Sequence, residues 1–362
     1  MKRDREGEPR RAKGRGRDGK QEKEPERKLL GRAGKAAAGL TAAAAAAYGV
    51  YLLGSSRTRR RPVTELANAL GLRLDYVPWQ EGFHYAYYSR RGRGRPVVFL
   101  HSINAVASAH EMRPLVQRFA RESERPILAL EWLGFGHSDR PEVEYRPELL
   151  EDQLEHWLDR VVQPRGGVDV VAFSLGAAYA AEVARRRPDL VHSLAAIEPV
   201  GLGEDPTELP RIWSRLLFTL PGVQRAFYDR LTTPEALYRF ARNELFSPEF
   251  GVPEEYVEYG AETARAEGAS RPLDDFLSGR LFPDYARESF RRLRQPLLVL
   301  YGTVEDRRME SYTALPELEA RPNVEVVPLP TGALPHWERP GDVFERIHEF
   351  FARAQEEAVP TV

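Results

Sequence analysis

The chain has 362 residues, of which 42% are hydrophobic and 30% are charged, and its formal net charge is −1. This composition predicts a folded protein with a substantial core, long enough for one large α/β domain or two ordinary domains. The near-zero net charge provides no global basic field, so we predict no nucleic-acid partner. The chain has no cysteine, which excludes disulfides, thiolate metal sites and cysteine nucleophiles.

The first 35 residues form a charged tail. They are rich in Lys, Arg, Asp and Glu and nearly free of large apolar residues, so we predict that residues 1–35 are disordered. Residues 36–56 follow as an uncharged, alanine-rich run of 21 residues, flanked by Lys35 and by the basic cluster at 57–61. A helix of this length spans about 30 Å, the thickness of a bilayer core.

Two interpretations of residues 36–56 stay open, because alanine is only weakly apolar. One is a single N-terminal transmembrane helix. The other is an alanine-rich soluble helix or a signal-peptide core, although the basic leader is too long for an ordinary signal peptide. We favour the membrane anchor; without it, the protein is expected to be cytoplasmic. The richer positive flank lies upstream, so the positive-inside rule favours a cytoplasmic tail and a main domain on the other side of the membrane. The arginine cluster at 57–61 opposes this, and the side of the membrane stays open.

From about residue 73, short apolar runs alternate with helical patterns. Eight runs are predicted as strands, at 73–77, 84–89, 97–101, 127–132, 168–174, 194–199, 297–302 and 324–330. The first two are expected to pair antiparallel, and the later runs are continuous, as in strands buried on both faces. Helical patterns lie between them, for example at 109–123, 148–162 and 176–187. This alternation predicts an α/β fold with a mostly parallel, doubly wound sheet.

The alternation breaks at residues 203–290, where the segments are helical, amphipathic and rich in aromatic residues. An all-helical insertion before the seventh strand is expected to form a lid over the carboxyl edge of the sheet, where open α/β sheets bind their ligands. The alternative is a structural excursion without a role in binding. The core of the fold is then predicted from residues 62–202 and 291–354.

Ser174 lies in the string VVAFSLGAAYA at 170–180, directly after a predicted buried strand and directly before a predicted helix. This is the context of the G-x-S-x-G nucleophile elbow, in which a strained serine projects its hydroxyl above the sheet. Ala172 stands in place of the first glycine, and Gly176 is the second. A short motif of this kind is weak alone, but its place after the fifth strand strengthens it. We predict that Ser174 is a nucleophile.

Taken in order along the chain, five segments resemble the α/β-hydrolase superfamily, of the AB hydrolase-1 type. The resemblance extends over about 95–353, and its segments are at 95–120, 130–141, 171–178, 296–306 and 334–351. It implies an α/β-hydrolase fold, with helices flanking the sheet and a helical lid.

The resemblance also implies roles for the loop after the third strand, which begins His-Gly in such proteins and reads His101-Ser102-Ile103-Asn104 here. The amides of Ile103 and Leu175 are expected to form the oxyanion hole. His101 and Ser102 are expected to lie at the pocket, although Ser102 in place of glycine alters the loop.

The superfamily's acid follows the seventh strand, and this position is Glu305, with Asp306 beside it. Either carboxylate is a candidate to orient an imidazole, and two solvated acids in a turn are the alternative. Glu198, at the end of the sixth strand, is a third candidate, because some superfamily members draw the acid from there.

The superfamily's catalytic histidine position holds Ala333. Three residues later, His336 is either a structural residue that supports this loop or a relocated general base. Serine needs such a base, because its hydroxyl is a poor nucleophile at neutral pH.

The function predicted from the sequence is a serine-dependent hydrolase of small or medium apolar ester-like substrates, possibly impaired. Its catalytic residues are Ser174, His336 and either Glu305 or Asp306. The alternative is a catalytically degenerate binding or scaffold protein at a membrane. No cofactor and no metal are predicted.

Overall fold

The computed structural model describes residues 62–203, 223–304 and 312–357. The predicted tail at 1–35, the predicted membrane helix at 36–56 and two predicted acids, Glu305 and Asp306, all lie outside the described residues. Among the residues that are described, no helix combines the length and apolarity needed to cross a membrane.

In the described part of the chain, the fold is built on a single sheet of eight strands. The strands are β1 (Arg73–Pro78), β2 (His84–Arg90), β3 (Val97–Leu100), β4 (Ile127–Leu130), β5 (Val168–Phe173), β6 (Val191–Ile197), β7 (Leu297–Gly302) and β8 (Val324–Leu329). Their order is β1-β2-β4-β3-β5-β6-β7-β8. β2 pairs antiparallel with both β1 and β4, and the other pairs are parallel. The predicted strands and the antiparallel start are confirmed.

Helices follow most of the parallel strands. The α-helices of the described residues are α1 (Arg113–Glu122), α2 (Pro147–His156), α3 (Leu175–Arg186), α4 (Val223–Leu231), α5 (Pro234–Phe240), α6 (Glu254–Ala264), α7 (Leu273–Leu277), α8 (Ala286–Arg292), α9 (Leu315–Glu319), α10 (Pro335–Glu338) and α11 (Pro340–Glu357). Short 3₁₀ turns lie at Val63–Glu65, Gln80–Gly82 and Ala109–Met112, and π-helical turns lie at Trp157–Val162 and Ala241–Leu245.

Both faces of the sheet are covered, which explains the continuous apolar runs. All six residues of β5 are buried. Along this strand Val170 and Ala172 belong to one core cluster, with residues of α2 and α3, whereas Val171 and Phe173 belong to a second cluster, with residues of α1 and α11. Successive side chains of a strand point to opposite faces, so a strand covered on both faces is apolar at nearly every position. Asp169 is the exception in β5, and its buried carboxylate contacts Arg125, His192 and Ser193.

Among the described residues, five helices, α4 to α8, stand between β6 and β7. This part of the predicted insertion at 203–290 is therefore helical, while residues 204–222 lie outside the described part of the chain. The role of the insertion as a lid, and the domain boundaries themselves, stay predictions.

Candidate active site

Several polar residues that the sequence predicts for the site lie at the carboxyl edge of the parallel strands. His101 follows β3, Ser174 follows β5 and Glu198 follows β6. These three strands are adjacent in the sheet, in the order β3-β5-β6. The structure therefore brings the predicted nucleophile, the predicted oxyanion loop and one predicted acid to the same edge.

Ser174 has the backbone geometry of a strained turn. Its φ is 55° and its ψ is −124°, between the last residue of β5 and the first residue of α3. Positive φ is unfavourable for a serine and costs on the order of 1–3 kcal/mol, so the surrounding structure has to impose it. The Ser174 amide donates to the carbonyl oxygen of Ile197 at 2.9 Å, and its carbonyl oxygen accepts from the Ala177 amide at 3.0 Å. The turn is thus fixed on both sides.

Gly176 brings the oxyanion loop against this turn. A Cβ added to Gly176 would collide with the carbonyl oxygen of His101, so only glycine allows this approach of two backbones. Ile103 lies two residues beyond that contact, and Leu175 begins α3, where the first amides of a helix lack intrahelical partners. Within the described residues, neither the Ile103 amide nor the Leu175 amide donates a hydrogen bond. Both predicted oxyanion donors are therefore unengaged.

His101 is fully buried beneath this loop. Its Nδ1 donates to the carbonyl oxygen of Ser102 at 2.7 Å, and its Nε2 lies 3.3 Å from the Oε2 of Glu131. Glu131 is also fully buried. Burial raises the pKa of the Glu131 carboxyl group, but the hydrogen bond and charge of His101, the charge of His137 and the hydrogen bond from the Ala109 amide together hold it below its usual value. His101 thus contacts a buried carboxylate.

Ser102 binds a second buried carboxylate, that of Glu111. The Ser102 amide donates to Glu111 Oε2 at 2.9 Å, and the Ser102 hydroxyl donates to the same oxygen at 2.7 Å. The side-chain amide of Asn104 donates to Glu111 Oε1 at 2.6 Å. Ser102 and Asn104 are the two neighbours of Ile103, so one carboxylate holds the chain on both sides of it.

Glu198 is buried at the junction of β6 and β7, next to the loop that carries Ala333. Its Oε1 accepts a hydrogen bond from the amide of Gly302, and its Oε2 accepts one from the hydroxyl of Tyr312 at 2.6 Å. A Cβ on Gly302 would collide with the carbonyl oxygen of Gly332, so β7 touches the loop directly. Glu198 is therefore connected through one residue, Gly302, to the residue that precedes Ala333.

Ala333 itself is fully buried. Its amide donates to the carbonyl oxygen of Leu245 at 2.7 Å, at the end of the π-helical turn that follows α5. Glu338 links the same two segments, because its Oε1 accepts from the amides of Ser247 at 2.7 Å and Gly332 at 3.0 Å. The loop is thus attached to the helical insertion through backbone and carboxylate contacts.

His336 is fully buried in α10. Its Nε2 donates to the carbonyl oxygen of Glu111 at 3.0 Å, and its ring packs edge-on against Phe173, 4.8 Å between centroids. Its Nδ1 has no hydrogen-bond partner within the described residues. Burial lowers the pKa of His336 to about 3, so the imidazole is neutral at ordinary pH. His336 makes no hydrogen bond with Ser174.

Two carboxylates at this edge, Glu131 and Glu111, are missing from the sequence predictions. Glu131 could have been recognised from the sequence, because a charged residue directly after the apolar strand ILAL is seldom buried without a specific partner. Glu111 could not, since in the segment 109–123 it looks like one of several charged residues on an ordinary amphipathic helix.

A sequence model of the alpha/beta hydrolase family matches residues 97–347 of this chain. That span includes β3 to β8, the strained turn at Ser174 and the loop at Ala333. The chain belongs to the alpha/beta hydrolase family.

Two curated members of the family illustrate the similarity in sequence. A haloalkane dehalogenase of Agrobacterium fabrum is 31% identical over 118 residues, which are 33% of this chain and 37% of that protein. The 2-hydroxy-6-oxo-6-(2'-aminophenyl)hexa-2,4-dienoic acid hydrolase of Metapseudomonas resinovorans is 28% identical over 116 residues, 32% of this chain and 39% of that protein. The chain thus matches little more than a third of the length of these relatives, which are hydrolases.

Solved structures of the family match over far more of the fold. A serine hydrolase involved in carbazole degradation has a TM-score of 0.61 at 21% identity, covering 78% of this chain and 99% of the other. A membrane phospholipase A has a TM-score of 0.60 at 19% identity, covering 91% of this chain and 99% of the other. At these identities the likeness establishes the α/β-hydrolase fold alone.

Proposed function

We propose that this α/β-hydrolase-fold protein is a serine-dependent hydrolase with impaired turnover, acting on small or medium apolar ester-like substrates. The observation that carries the proposal is the strained backbone of Ser174, at φ 55° directly between β5 and α3. Such strain persists where the surroundings impose it, and it concentrates at functional sites. In a nucleophile elbow it raises the serine hydroxyl above the sheet edge.

The proposed chemistry begins with attack of the Ser174 hydroxyl on the carbonyl carbon of an ester. The carbonyl oxygen then acquires negative charge, and the unengaged amides of Ile103 and Leu175 donate hydrogen bonds to it. Each donor of this kind contributes on the order of 3 kcal/mol to the stability of the transition state. In a complete site a base takes the hydroxyl proton, returns it to the leaving alcohol, and then activates the water that cleaves acyl-Ser174 to the acid and restores the hydroxyl. Without such a base, water itself has to accept and return these protons, which is slow.

The base is the weak part of this site. A general base works best when its pKa lies near the operating pH, whereas the pKa of His336 is lowered to about 3 by burial. Its Nε2 already donates to the carbonyl oxygen of Glu111. We therefore assign His336 the supporting role and infer that position 333, an alanine, leaves the site without its imidazole. Slow turnover from the remaining groups is the expected result.

Glu198 is the acid that fits the site best among the three candidates. Glu198 directly follows β6, whose neighbour β5 ends before Ser174. Its carboxylate accepts a hydrogen bond from the Gly302 amide, and Gly302 contacts the loop of Ala333. A carboxylate at this place would orient and stabilise an imidazolium at position 333. Glu305 and Asp306, which the resemblance implies, remain alternatives.

The substrate class follows from weaker observations. The curated relatives include a haloalkane dehalogenase and a dienoic acid hydrolase, whose names indicate small organic substrates. The helical insertion between β6 and β7 is rich in aromatic residues, which favours apolar ligands. A membrane association through residues 36–56 stays part of the proposal.

A second candidate function is a binding or scaffold protein that keeps the hydrolase fold without turnover. One observation favours it: Ala333 is fully buried and its amide is engaged with Leu245, so the base position is filled by packing. In that case the edge of the sheet binds a ligand that it does not cleave.

Labelling with an alkyl fluorophosphonate tests the proposal, because the probe modifies serines that are activated within an oxyanion hole. We expect slow labelling of the parent protein and none of Ser174→Ala. Ser193→Ala is the matched control, since Ser193 is a buried serine of β6 whose hydroxyl donates to the carboxylate of Asp169, in β5, at 2.7 Å. Labelling that persists in Ser174→Ala would locate the nucleophile elsewhere, and a parent that is never labelled would favour the binding protein.

A further inference from the structure

Glu111 joins the two loops of the site. Its carboxylate accepts hydrogen bonds from the amide and hydroxyl of Ser102 and from the side chain of Asn104. Its carbonyl oxygen accepts hydrogen bonds from His336 Nε2 at 3.0 Å and from Trp337 Nε1 at 2.6 Å. One residue therefore fixes the oxyanion loop with its side chain and the loop after β8 with its backbone.

The side-chain contacts explain why Ser102 can stand where the resemblance leads us to expect glycine. A serine hydroxyl adds a second donor to the Glu111 carboxylate, beside the backbone amide of the same residue. Asn104 donates to the other carboxylate oxygen and also to the Ser102 hydroxyl at 2.8 Å. With both neighbours held, the peptide of Ile103 has little freedom to rotate.

Keeping a carboxylate in this place has an energetic cost. Glu111 is buried, which raises its pKa, although the charge of His101 and the hydrogen bonds from Ser102 and Asn104 act in the opposite direction. An apolar residue of similar size would fill the space without that cost. The carboxylate is therefore better explained by the donors it orders than by packing.

We propose that Glu111 is a positioning residue of the oxyanion hole: its carboxylate holds Ser102 and Asn104 and thereby aims the Ile103 amide at the developing charge. The inference rests on the proposed function, since an oxyanion hole acts only with a nucleophile at Ser174. Glu111 touches no reacting atom in this proposal. Replacing Glu111 is expected to displace the Ile103 amide while the amide itself stays in place along the chain as a hydrogen-bond donor.

The first experiment measures fluorophosphonate labelling at several probe concentrations, which separates reversible binding of the probe from the maximal labelling rate. We expect Glu111→Gln to lower the maximal rate by about 10-fold or more, because losing one oxyanion donor costs roughly 10²- to 10³-fold. Probe binding should change by less than about 2-fold, as expected when an interaction of the transition state alone is lost. Ser102→Gly should lower the rate less, and in the double variant the two losses should not add.

Glu151→Gln is the matched control, because Glu151 is another buried carboxylate, on α2, whose partner is the Tyr285 hydroxyl at 2.7 Å. It should reduce stability without changing the maximal labelling rate. An unchanged rate in folded Glu111→Gln, or an equal loss in Glu151→Gln, would overturn the positioning role.

Hydrogen exchange of the peptide that covers residues 101–108 separates this inference from the proposed function. Exchange should rise in Glu111→Gln and stay at the parental level in Glu151→Gln. If the parent is never labelled but exchange rises in this way, the proposed hydrolase fails while the positioning of the loop stands. If exchange does not change in Glu111→Gln, the positioning role is wrong whatever the labelling shows.

Discussion

Two loops meet at the carboxyl edge of the sheet, and they differ in what holds them. The nucleophile side has a serine at φ 55°, a glycine pressed against His101 and two amides without partners among the described residues. The base side has a buried methyl group, that of Ala333, and an amide already bonded to Leu245. The turn at Ser174 is strained and lies beside amides without partners among the described residues. At Ala333, by contrast, the side chain is buried and the amide is already bonded.

This difference shows what an elbow can and cannot supply. Backbone strain and amide donors are built into the chain by the strand, the turn and the helix, so they persist when one side chain is lost. A general base is a single side chain in one position. Under the proposed function, the site would therefore keep its oxyanion donors while lacking the side chain that activates the serine.

The largest effect should come from restoring the base. In the proposed site, Ala333→His would supply the missing imidazole, and general-base catalysis is typically worth 10²- to 10⁴-fold. We expect a gain of that size in hydrolysis of 4-nitrophenyl esters. Residue 333 is fully buried, so overpacking is expected to destabilise the fold by about 1–3 kcal/mol.

Ala333→Leu controls for this bulk, because it adds volume without a base and should leave hydrolysis at the parental rate. A folded Ala333→His variant with no gain would mean that the loop does not carry residue 333 to the nucleophile, and the comparison between the two loops would lose its basis.

The second-largest effect should show which carboxylate orients the histidine introduced at position 333. In the Ala333→His background we expect Glu198→Gln to remove about 10²-fold or more of the activity, because an imidazole without its carboxylate is held in the wrong tautomer. Glu305→Gln and Asp306→Asn in the same background are the matched comparisons. If one of them removes the gain and Glu198→Gln does not, the acid lies after β7 as the resemblance implies.

A third prediction concerns His336, the buried histidine of α10, three residues after Ala333. His336→Ala removes a buried ring and its hydrogen bond to Glu111, so unfolding in urea should show a loss of about 3 kcal/mol. Labelling of Ser174 should continue in the folded variant. Abolished labelling, with the fold intact by circular dichroism, would make His336 a relocated base and remove the contrast between the two loops.

Most of the fold could be predicted because its strands are buried on both faces. The run at 168–173, apolar except for Asp169, leaves little choice of element, and the residue that follows it stands in the turn. Ser174 was therefore predictable from its place alone. The π-helical turn at Trp157–Val162 was not, because the sequence there continues the same helical pattern.

The contacts that complete the site could not be predicted, because they join residues that are distant along the chain. Glu111 meets Ser102 across a turn of nine residues and His336 across 225 residues. No local pattern encodes either contact. The sequence does not decide the role of His336 for the same reason: its neighbours along the chain indicate a helix entry, whereas its partners Glu111 and Phe173 are distant in sequence.

The smallest predicted effect is a dependence of stability on pH that His336 shares with His110. Burial lowers the pKa of each to about 3, below the value of about 6.5 in an unfolded chain. Between these values the unfolded chain binds protons that the folded protein does not, so stability is fully present above about pH 6.5 and is lost as pH falls.

One such group contributes a slope of at most about 1.4 kcal/mol per pH unit. His336→Phe keeps an aromatic ring against Phe173 but cannot bind a proton, so the free energy of unfolding should fall less steeply between pH 6.5 and 5 than in the parent. His348→Phe, a change at an exposed histidine of α11, serves as the control and should keep the parental slope. An unchanged slope in His336→Phe would mean that His336 binds protons equally in both states. It would then be accessible to water in the folded protein, and the objection to His336 as a base would fall with it.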